Sequence, residues 1–336
     1  MPFRFSGRAA EYFKIWIVNL ALTIVTLGIY SAWAKVRNKR YFYRNTTVAG
    51  SAFDYHALPI QILKGRWLVV GAWILYSVCV SFFPMFSLLL LVLFYLCVPW
   101  LVVRAYVFNA RNSSWRNIRF NFNSKSIGEA AKIYILFPLL APLTLGFIGP
   151  YITFLSWRFV IDNNRLGRQP FKINLSTGRY YSAFFIAFGI CLIFIVAIGS
   201  VGILILYFVN DSEGAVGFFQ ISFIAIIPAF LIARITYRVI VRNRSLTGPM
   251  IGAYRFNSTL HVPALCWIYF SNMIAVIFSL GLLIPWAKVR VARYVAEHLE
   301  MYGPKNVDSF LQAEQRSANV FGEEAADFFD IDLGGV

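Results

Sequence analysis

Long runs without a charged residue constrain this chain most. They cover residues 15–34, 67–103, 133–157, 180–210 and 214–233. A helix of about 20 apolar residues can cross the ~30 Å hydrocarbon core of a bilayer. The composition agrees, since 59% of the residues are hydrophobic and only 14% are charged. We therefore expect an α-helical polytopic membrane protein.

A short motif at the end of the first run recurs along the chain. The pentapeptide Trp-Ala-Lys-Val-Arg ends at Arg37 and again at Arg290. At an offset of 118 residues, Thr-Leu-Gly at 144–146 corresponds to Thr-Leu-Gly at 26–28. These correspondences predict two parallel repeats and a half-repeat followed by an acidic tail, at residues 1–114, 115–250, 251–302 and 303–336.

Each full repeat is predicted to contain a motif element, a β-hairpin and two spanning helices. In the first repeat these are residues 15–34, 45–55, 67–83 and 85–103. In the second they are residues 133–157, 163–173, 180–210 and 214–233. The half-repeat adds a third motif element at about 264–287. We expect four spanning helices, with short cytoplasmic hairpins between them.

The distribution of Lys and Arg predicts how these segments cross the membrane. If all seven apolar elements crossed, the 31 basic residues would divide 13 to 18 between the two sides. If only the two helix pairs crossed, all 31 would lie on one side, as the positive-inside rule requires. We therefore expect the three motif elements, which contain helix-breaking Gly and Pro residues, to be re-entrant or interfacial. Both termini would then be cytoplasmic, in a bacterial inner membrane.

Residues for enzymatic chemistry are scarce. No Asp or Glu lies inside an apolar run, which disfavours an ordinary proton-coupled transporter. The four cysteines have no zinc spacing, and the three histidines have no partners at ligand spacing. We expect no enzyme, no catalytic residue, no cofactor and no metal. Basic loops beside an anionic leaflet explain the net charge of +16, so we expect no nucleic-acid partner.

The motif elements supply the candidate binding residues. Basic side chains that are candidates for contacting anionic ligands or lipid head groups are Lys35, Arg37, Arg40, Lys288, Arg290 and Arg293. A candidate polar stripe, either a pathway lining or interhelical glue, comprises Asn19, Thr23, Thr26 and Asn272. Trp33 and Trp286 are expected to be interfacial anchors.

Several of these motifs resemble those of a known family. Phe-Arg-Phe-Ser-Gly at 3–7, the segment from Thr26 to Arg37, and the Asn-Thr-Thr hairpin beginning at Asn45 resemble the YjgN-like family of bacterial inner-membrane proteins. The resemblance covers nearly the whole chain, including the acidic end. It implies location and architecture, and it supplies no catalytic residues because the family is a domain of unknown function.

Two functions from different classes remain open on the sequence. One is a transporter or channel-like protein for a small or anionic solute. The other is a lipid-binding or scaffolding membrane protein that acts through a basic cytoplasmic face. The expected partners are membrane lipids with anionic head groups, together with another membrane protein or a second copy of the chain. A continuous polar pore would favour the first function, and a closed apolar interior with a basic groove would favour the second.

Overall fold

The computed structural model describes residues 1–209 and 212–304, and the side chains of residues 206, 208–221 and 223–225 are not described. Most of the predicted tail, residues 305–336, therefore lies outside the described residues. The described chain contains ten short strands. They are β1 (Arg4–Phe5), β2 (Thr46–Val48), β3 (Ser51–Tyr55), β4 (Ser113–Trp115), β5 (Ile118–Phe122), β6 (Asn164–Leu166), β7 (Gln169–Lys172), β8 (Met250–Ile251), β9 (Tyr254–Ser258) and β10 (Leu299–Tyr302).

All ten strands belong to one antiparallel sheet in chain order. The sheet also closes on itself, because the residues before β1 pair with β10. Pro2 lies opposite Glu300 in an antiparallel bridge, and the Phe3 amide donates to the Leu299 carbonyl at 2.9 Å. Closure leaves β1 and β10 with partners on both sides and so removes the exposed edges that a short open sheet would present. The result is a small barrel.

Tight two-residue turns join the strands within each local β-hairpin. Ala49 and Gly50 have φ of +48° and +74°, and Arg116 and Asn117 have φ of +49° and +65°. Two consecutive residues with positive φ are typical of the type I′ turn, whose twist suits a hairpin. Gly167 and Gly252 begin the other two turns with positive φ. These turns fix the register of the pairs that they connect.

Helices occupy the longer connections between strands. They are α1 (Ala9–Val25), α2 (Ser31–Arg44), α3 (Pro59–Phe82), α4 (Pro84–Arg111), α5 (Ile127–Ala131), α6 (Phe137–Leu140), α7 (Gly149–Asp162), α8 (Thr177–Val209), α9 (Ser212–Leu246), α10 (Val262–Phe278) and α11 (Ile284–Glu297). A π-helical turn, Lys132–Leu136, joins α5 to α6. Each odd-numbered strand thus leads through a helical hairpin to the next even-numbered strand. The described chain comprises five such strand–hairpin–strand units around one barrel.

The first, third and fifth units contain the shorter hairpins, which correspond to the three motif elements. Their tips share one backbone geometry, in which Leu27, Leu145 and Leu280 adopt positive φ and are 94%, 87% and 95% exposed. The residue before the following helix is bonded in the same way each time, its amide donating to the hydroxyl of a Thr or Ser four residues earlier. For example, the Thr26 hydroxyl accepts a hydrogen bond from the Tyr30 amide at 2.9 Å. The tips therefore expose apolar side chains while their local hydrogen bonds are satisfied internally.

The expected fold class, a helical membrane protein with only short β-hairpins, is wrong. The hairpins predicted at 45–55 and 163–173 are parts of a continuous ten-stranded sheet. Three helices of the described part, not four, are long and apolar enough to cross a membrane: Pro59–Phe82, Pro84–Arg111 and Thr177–Ile205. The fourth predicted span, residues 214–233, falls in α9, where many side chains lie outside the described residues.

The reason for the error is the distance along the chain between paired strands. β3 pairs with β4, although a helical hairpin of more than 50 residues separates them. Local patterning detects a tight hairpin, but it carries no signal for a pair joined across such a connection. An isolated two-stranded hairpin is marginal in stability, so the four local pairs gain by joining into one sheet.

Candidate functional site

Five phenylalanines form a ring inside the barrel. Each unit contributes one of them, Phe3 from the residue before β1 and the others from the third position of β3, β5, β7 and β9: Phe3, Phe53, Phe120, Phe171 and Phe256. Neighbouring ring centroids are 6.2–6.4 Å apart around the whole ring. Strand alternation directs these side chains inward, and the five-unit arrangement brings them to one level.

Below this phenylalanine ring, side chains fill the barrel. Seven residues that are at most 5% exposed form its core: Val48, Trp115, Ile118, Leu166, Ile251, Tyr254 and Met301. A cavity of only about 40 Å³ remains between this core and the phenylalanine ring. A small barrel filled by its own side chains is a packed core and not a pore. The barrel axis is therefore closed.

Above the phenylalanine ring lies a much larger cavity of about 1220 Å³, which we call the central cavity. The second helix of every hairpin contributes to its wall, and α10 completes it. Most of the lining is apolar. Towards the tip of the last hairpin, the wall is made by Met273, Val276 and Ile284.

Polar groups gather at the end of the central cavity nearest the barrel. Thr46, Ser113 and Asn164 line it from the first positions of β2, β4 and β6. Each donates to a carbonyl of the preceding helix, as the Ser113 hydroxyl does to the Asn109 carbonyl at 2.8 Å. These groups make a polar rim directly above the phenylalanine ring, and their donors are already engaged.

Among the described residues, two cations line the central cavity and no carboxylate does. Arg242 on α9 is half-buried, and Lys288 on α11 is exposed to the cavity. Within residues 1–209 and 212–304, neither side chain has a hydrogen bond or an ion pair. Arg44 differs, because it contacts both carboxylate oxygens of Asp54, at 2.9 and 3.1 Å. The cavity wall is thus positively charged without internal compensation.

A third cation lies just behind the wall. The ammonium group of Lys39 donates to Asn109 Oδ1 at 2.6 Å and lies 4.8 Å from the centre of the Tyr55 ring. Burial, with a smaller contribution from Lys35, lowers the pKa of Lys39. Asn109 itself lines the central cavity. One hydrogen bond to Asn109 therefore separates the ammonium group of Lys39 from the cavity surface.

The structure joins the predicted basic residues to the predicted polar stripe. Arg37 donates to Asn19 Oδ1 at 3.3 Å and to the Tyr30 hydroxyl at 3.0 Å. In the last hairpin, Arg290 donates to Asn272 Oδ1 at 3.1 Å. Both asparagines are buried. These Asn–Arg pairs link the two helices of a hairpin.

The other predicted residues are dispersed. Arg40 donates to the Tyr55 carbonyl and Arg293 to the Gly7 carbonyl, while Lys35 is exposed. Thr23 and Thr26 donate to carbonyls one turn earlier in α1. Trp33 stacks on Tyr30 with centroids 6.0 Å apart, and Trp286 lies 5.2 Å from the Arg290 guanidinium. Of all the predicted residues, only Asn272 and Lys288 line the central cavity.

Sequence reasoning missed Arg242 and the phenylalanine ring. Arg242 is one of several basic residues after an apolar run, and nothing local distinguishes it. The ring had a signal, because a Phe begins an alternating pattern in each unit, as in Phe3-x-Phe5 and Phe120-x-Phe122. Ile118-Arg119-Phe120 also resembles Phe3-Arg4-Phe5, and aligning these two tripeptides conceals the pattern because it shifts the register by two residues.

Among the described residues, no three His, Cys, Asp or Glu side chains are grouped as metal ligands. Cations at the edge of an apolar chamber can hold a molecule with an acidic end and a hydrophobic body. The central cavity is therefore the candidate site.

Comparison with known proteins places the chain in a family. It matches the family described as "Bacterial protein of unknown function (DUF898)" over residues 1–328. A Salmonella typhimurium relative, "Inner membrane protein YjgN", is 24% identical over 358 residues, which cover 89% of this chain and 88% of the relative. The protein of the same name from Escherichia coli K12 is 30% identical over 145 residues, 43% of this chain and 36% of that relative. No solved structure is significantly similar. The resemblance to YjgN-like proteins is confirmed, and the chain belongs to the DUF898 family of bacterial proteins.

Proposed function

We propose that the protein binds a membrane lipid in the central cavity. The single observation that carries this proposal is a cavity of about 1220 Å³ with a mostly apolar wall, closed at its barrel end by the phenylalanine ring. Sites for small ligands commonly measure about 300–1,000 Å³, so this cavity has room for a molecule with acyl chains.

The energetic argument concerns filling the cavity. A lipid chain gains no hydrophobic energy by leaving the bilayer for an apolar wall, because both surroundings are equally apolar. An unfilled cavity, however, loses the dispersion contacts of every lining atom, and water is poorly accommodated where polar partners are few. A lipid chain restores those contacts without dehydrating any polar group. Lipid is therefore the occupant that an apolar chamber inside a bilayer favours.

Charge supports one placement of the molecule in the membrane. The helical hairpins all leave the barrel and return to it, and the uncharged runs form their outer parts. The basic residues are thus concentrated towards the barrel. By the positive-inside rule, we propose that the barrel faces the cytoplasm with the hairpins in the inner membrane, which is the location named for the relatives.

Transport of a solute along the barrel axis has weaker support. A solute on this path would have to pass the phenylalanine ring and then displace the seven-residue barrel core. Separating such closely packed side chains is costly, because interiors are packed at crystal-like density. No polar path through the described barrel favours this function.

The experiment is native mass spectrometry of the purified protein, with a cavity-filling variant. Ala287 lines the central cavity, whereas Ala21 is exposed on α1. We expect the wild-type chain and Ala21→Phe to retain about one lipid per chain, and Ala287→Phe to retain at least about tenfold less. Thermal unfolding of all three proteins tests whether they remain folded. A wild-type chain free of bound lipid, or equal retention by folded Ala287→Phe, contradicts the proposal.

A further inference from the structure

We infer that the central cavity selects a lipid whose head group carries phosphate and a net negative charge, with Arg242 as its principal contact. This inference rests on the proposed lipid binding and adds the class of ligand. It is carried by a separate observation, the unpaired cation in the wall. Neither the shape of the cavity nor its apolar lining requires an acidic ligand.

The position of Arg242 suits a head group. Arg242 lies four residues before Leu246, the last residue of α9, so its Cα is about 6 Å along the axis from the barrel end of the helix. Leu246 and Pro249 line the same part of the cavity. With the barrel at the cytoplasmic face, Arg242 lies where a lipid of the inner leaflet has its phosphate, while the apolar wall extends towards the bilayer centre.

The bonding state of Arg242 points to a missing anion. A guanidinium group has five N–H donors, and it pairs with phosphate through two parallel hydrogen bonds. Arg242 is half-buried and, within residues 1–209 and 212–304, none of its donors has an acceptor. By contrast, Arg44 has a bidentate carboxylate partner even though it is exposed. A partly desolvated charge without a partner is unfavourable, and an anionic ligand would relieve that cost.

The surroundings reinforce the preference for an anion. Lys288 lies nine residues before the end of α11, about 14 Å along the axis from the barrel end of that helix, and adds positive charge along the wall. Because no Asp or Glu lines the cavity, nothing in the described wall repels a phosphate. A zwitterionic head group would place a cation against this positive surface.

Two sources share this chemistry: a lipid phosphate and a free phosphate in the cytoplasm. The test uses full-length protein in nanodiscs of phosphatidylglycerol mixed equally with phosphatidylcholine, and native mass spectrometry identifies the retained lipid. The variant is Arg242→Gln. The control is Arg238→Gln, which changes an exposed arginine one turn earlier on α9 that does not line the cavity.

We expect the wild-type chain and Arg238→Gln to retain phosphatidylglycerol at least about tenfold over phosphatidylcholine, the scale of one charge-assisted interaction. Arg242→Gln should reduce this preference to within about twofold while total lipid retention persists, and Arg242→Lys should restore part of it. Preserved thermal unfolding shows that a lost preference is not misfolding. Displacement of the lipid by millimolar inorganic phosphate supports the phosphate subsite and identifies free phosphate as a second source. If added phosphate leaves the preference for phosphatidylglycerol unchanged, the site binds the phosphate of a lipid and not free phosphate.

Two results overturn the inference. One is equal retention of the two lipids by the wild-type chain, and the other is an undiminished preference in folded Arg242→Gln. Either result leaves lipid binding itself intact. Loss of all lipid from the wild-type chain contradicts the proposed function instead, so the two failures are distinguishable.

Discussion

Asn272 and Arg290 show how single polar residues organise an apolar hairpin. The buried Asn272 receives a hydrogen bond from Arg290 and donates to the Ala287 carbonyl. Asn19 and Arg37 form the same kind of pair in the first hairpin. The third hairpin has Phe137 and Leu155 at the positions 118 residues further on, so it lacks the Asn–Arg pair. We therefore expect the pair to be replaceable, provided that both members change.

This leads to a prediction about substitutions in the last hairpin. Asn272→Ala removes one of the two side-chain acceptors of Arg290, the other being the Ser271 hydroxyl, and should destabilise the protein by about 1–3 kcal/mol. The double variant Asn272→Leu with Arg290→Leu leaves no polar group unpaired and should recover most of that loss. Unfolding monitored by circular dichroism in detergent measures both variants. If Asn272→Ala unfolds like the wild-type chain, the pair does not stabilise the hairpin.

At the scale of elements, the hairpin tips were the most predictable feature. The sequence marks Thr26 and Gly28 as helix breakers, and the structure places the turn between α1 and α2 at these residues. Gly28 has φ of +91°, a conformation that a residue with a Cβ adopts only with strain. The need for a glycine at position 28 thus helps to determine where the turn after α1 lies.

The tip geometry predicts opposite effects for two glycine substitutions. No atom lies within 4 Å of a Cβ placed at Gly28 or at Gly65, so crowding affects neither. Gly28→Ala should destabilise the protein by about 1 kcal/mol because of its positive φ. Gly65→Ala, within α3, should be neutral or stabilise by up to about 1 kcal/mol. Their thermal midpoints in the same detergent provide the comparison, and equal shifts would show that the tip is not strained by a Cβ.

Strand pairing was less predictable than the tips. β2 and β3 pair locally, with Thr47 opposite Ala52, where the sequence predicts a hairpin. β3 also pairs with β4, Phe53 lying opposite Trp115, and no local pattern predicts that contact. Every backbone N–H and C=O group at an open strand edge needs a hydrogen-bond partner, whatever its side chain. The sequence of an edge strand therefore does not indicate which other strand pairs with it.

At the scale of the whole molecule, five units of unequal length surround one axis. The first, third and fifth hairpins are short, while α3 with α4 and α8 with α9 are long. Because β1 and β10 are neighbours, the first and fifth units are adjacent, and α1 contacts α11. Short and long hairpins therefore alternate around the described ring except where the first and fifth hairpins, both short, are neighbours. The described helices thus lack fivefold symmetry on the side away from the barrel.

The proposed placement in the membrane predicts the accessibility of single cysteines. Both variants are made in a chain whose four native cysteines have been replaced. Met85 is exposed beside the turn between α3 and α4, and Arg119 is exposed on the outer face of the barrel. Each is changed to cysteine in turn. A membrane-impermeant maleimide should label Met85→Cys in intact spheroplasts and Arg119→Cys only after permeabilisation. The reverse pattern would place the barrel outside, and labelling of both in intact spheroplasts would exclude a membrane between them.

The sequence alone determined the membrane class, the positions of the tips and the concentration of basic charge at one end of the hairpins. These follow from local physical demands: apolar length for a bilayer, positive φ for glycine and the hydration of charge. Only the tertiary structure decided the closed barrel, the phenylalanine ring and the central cavity with its unpaired Arg242. Each of these joins residues from all five units or from distant ones, and their proximity arises from strand pairing that no short stretch of sequence specifies.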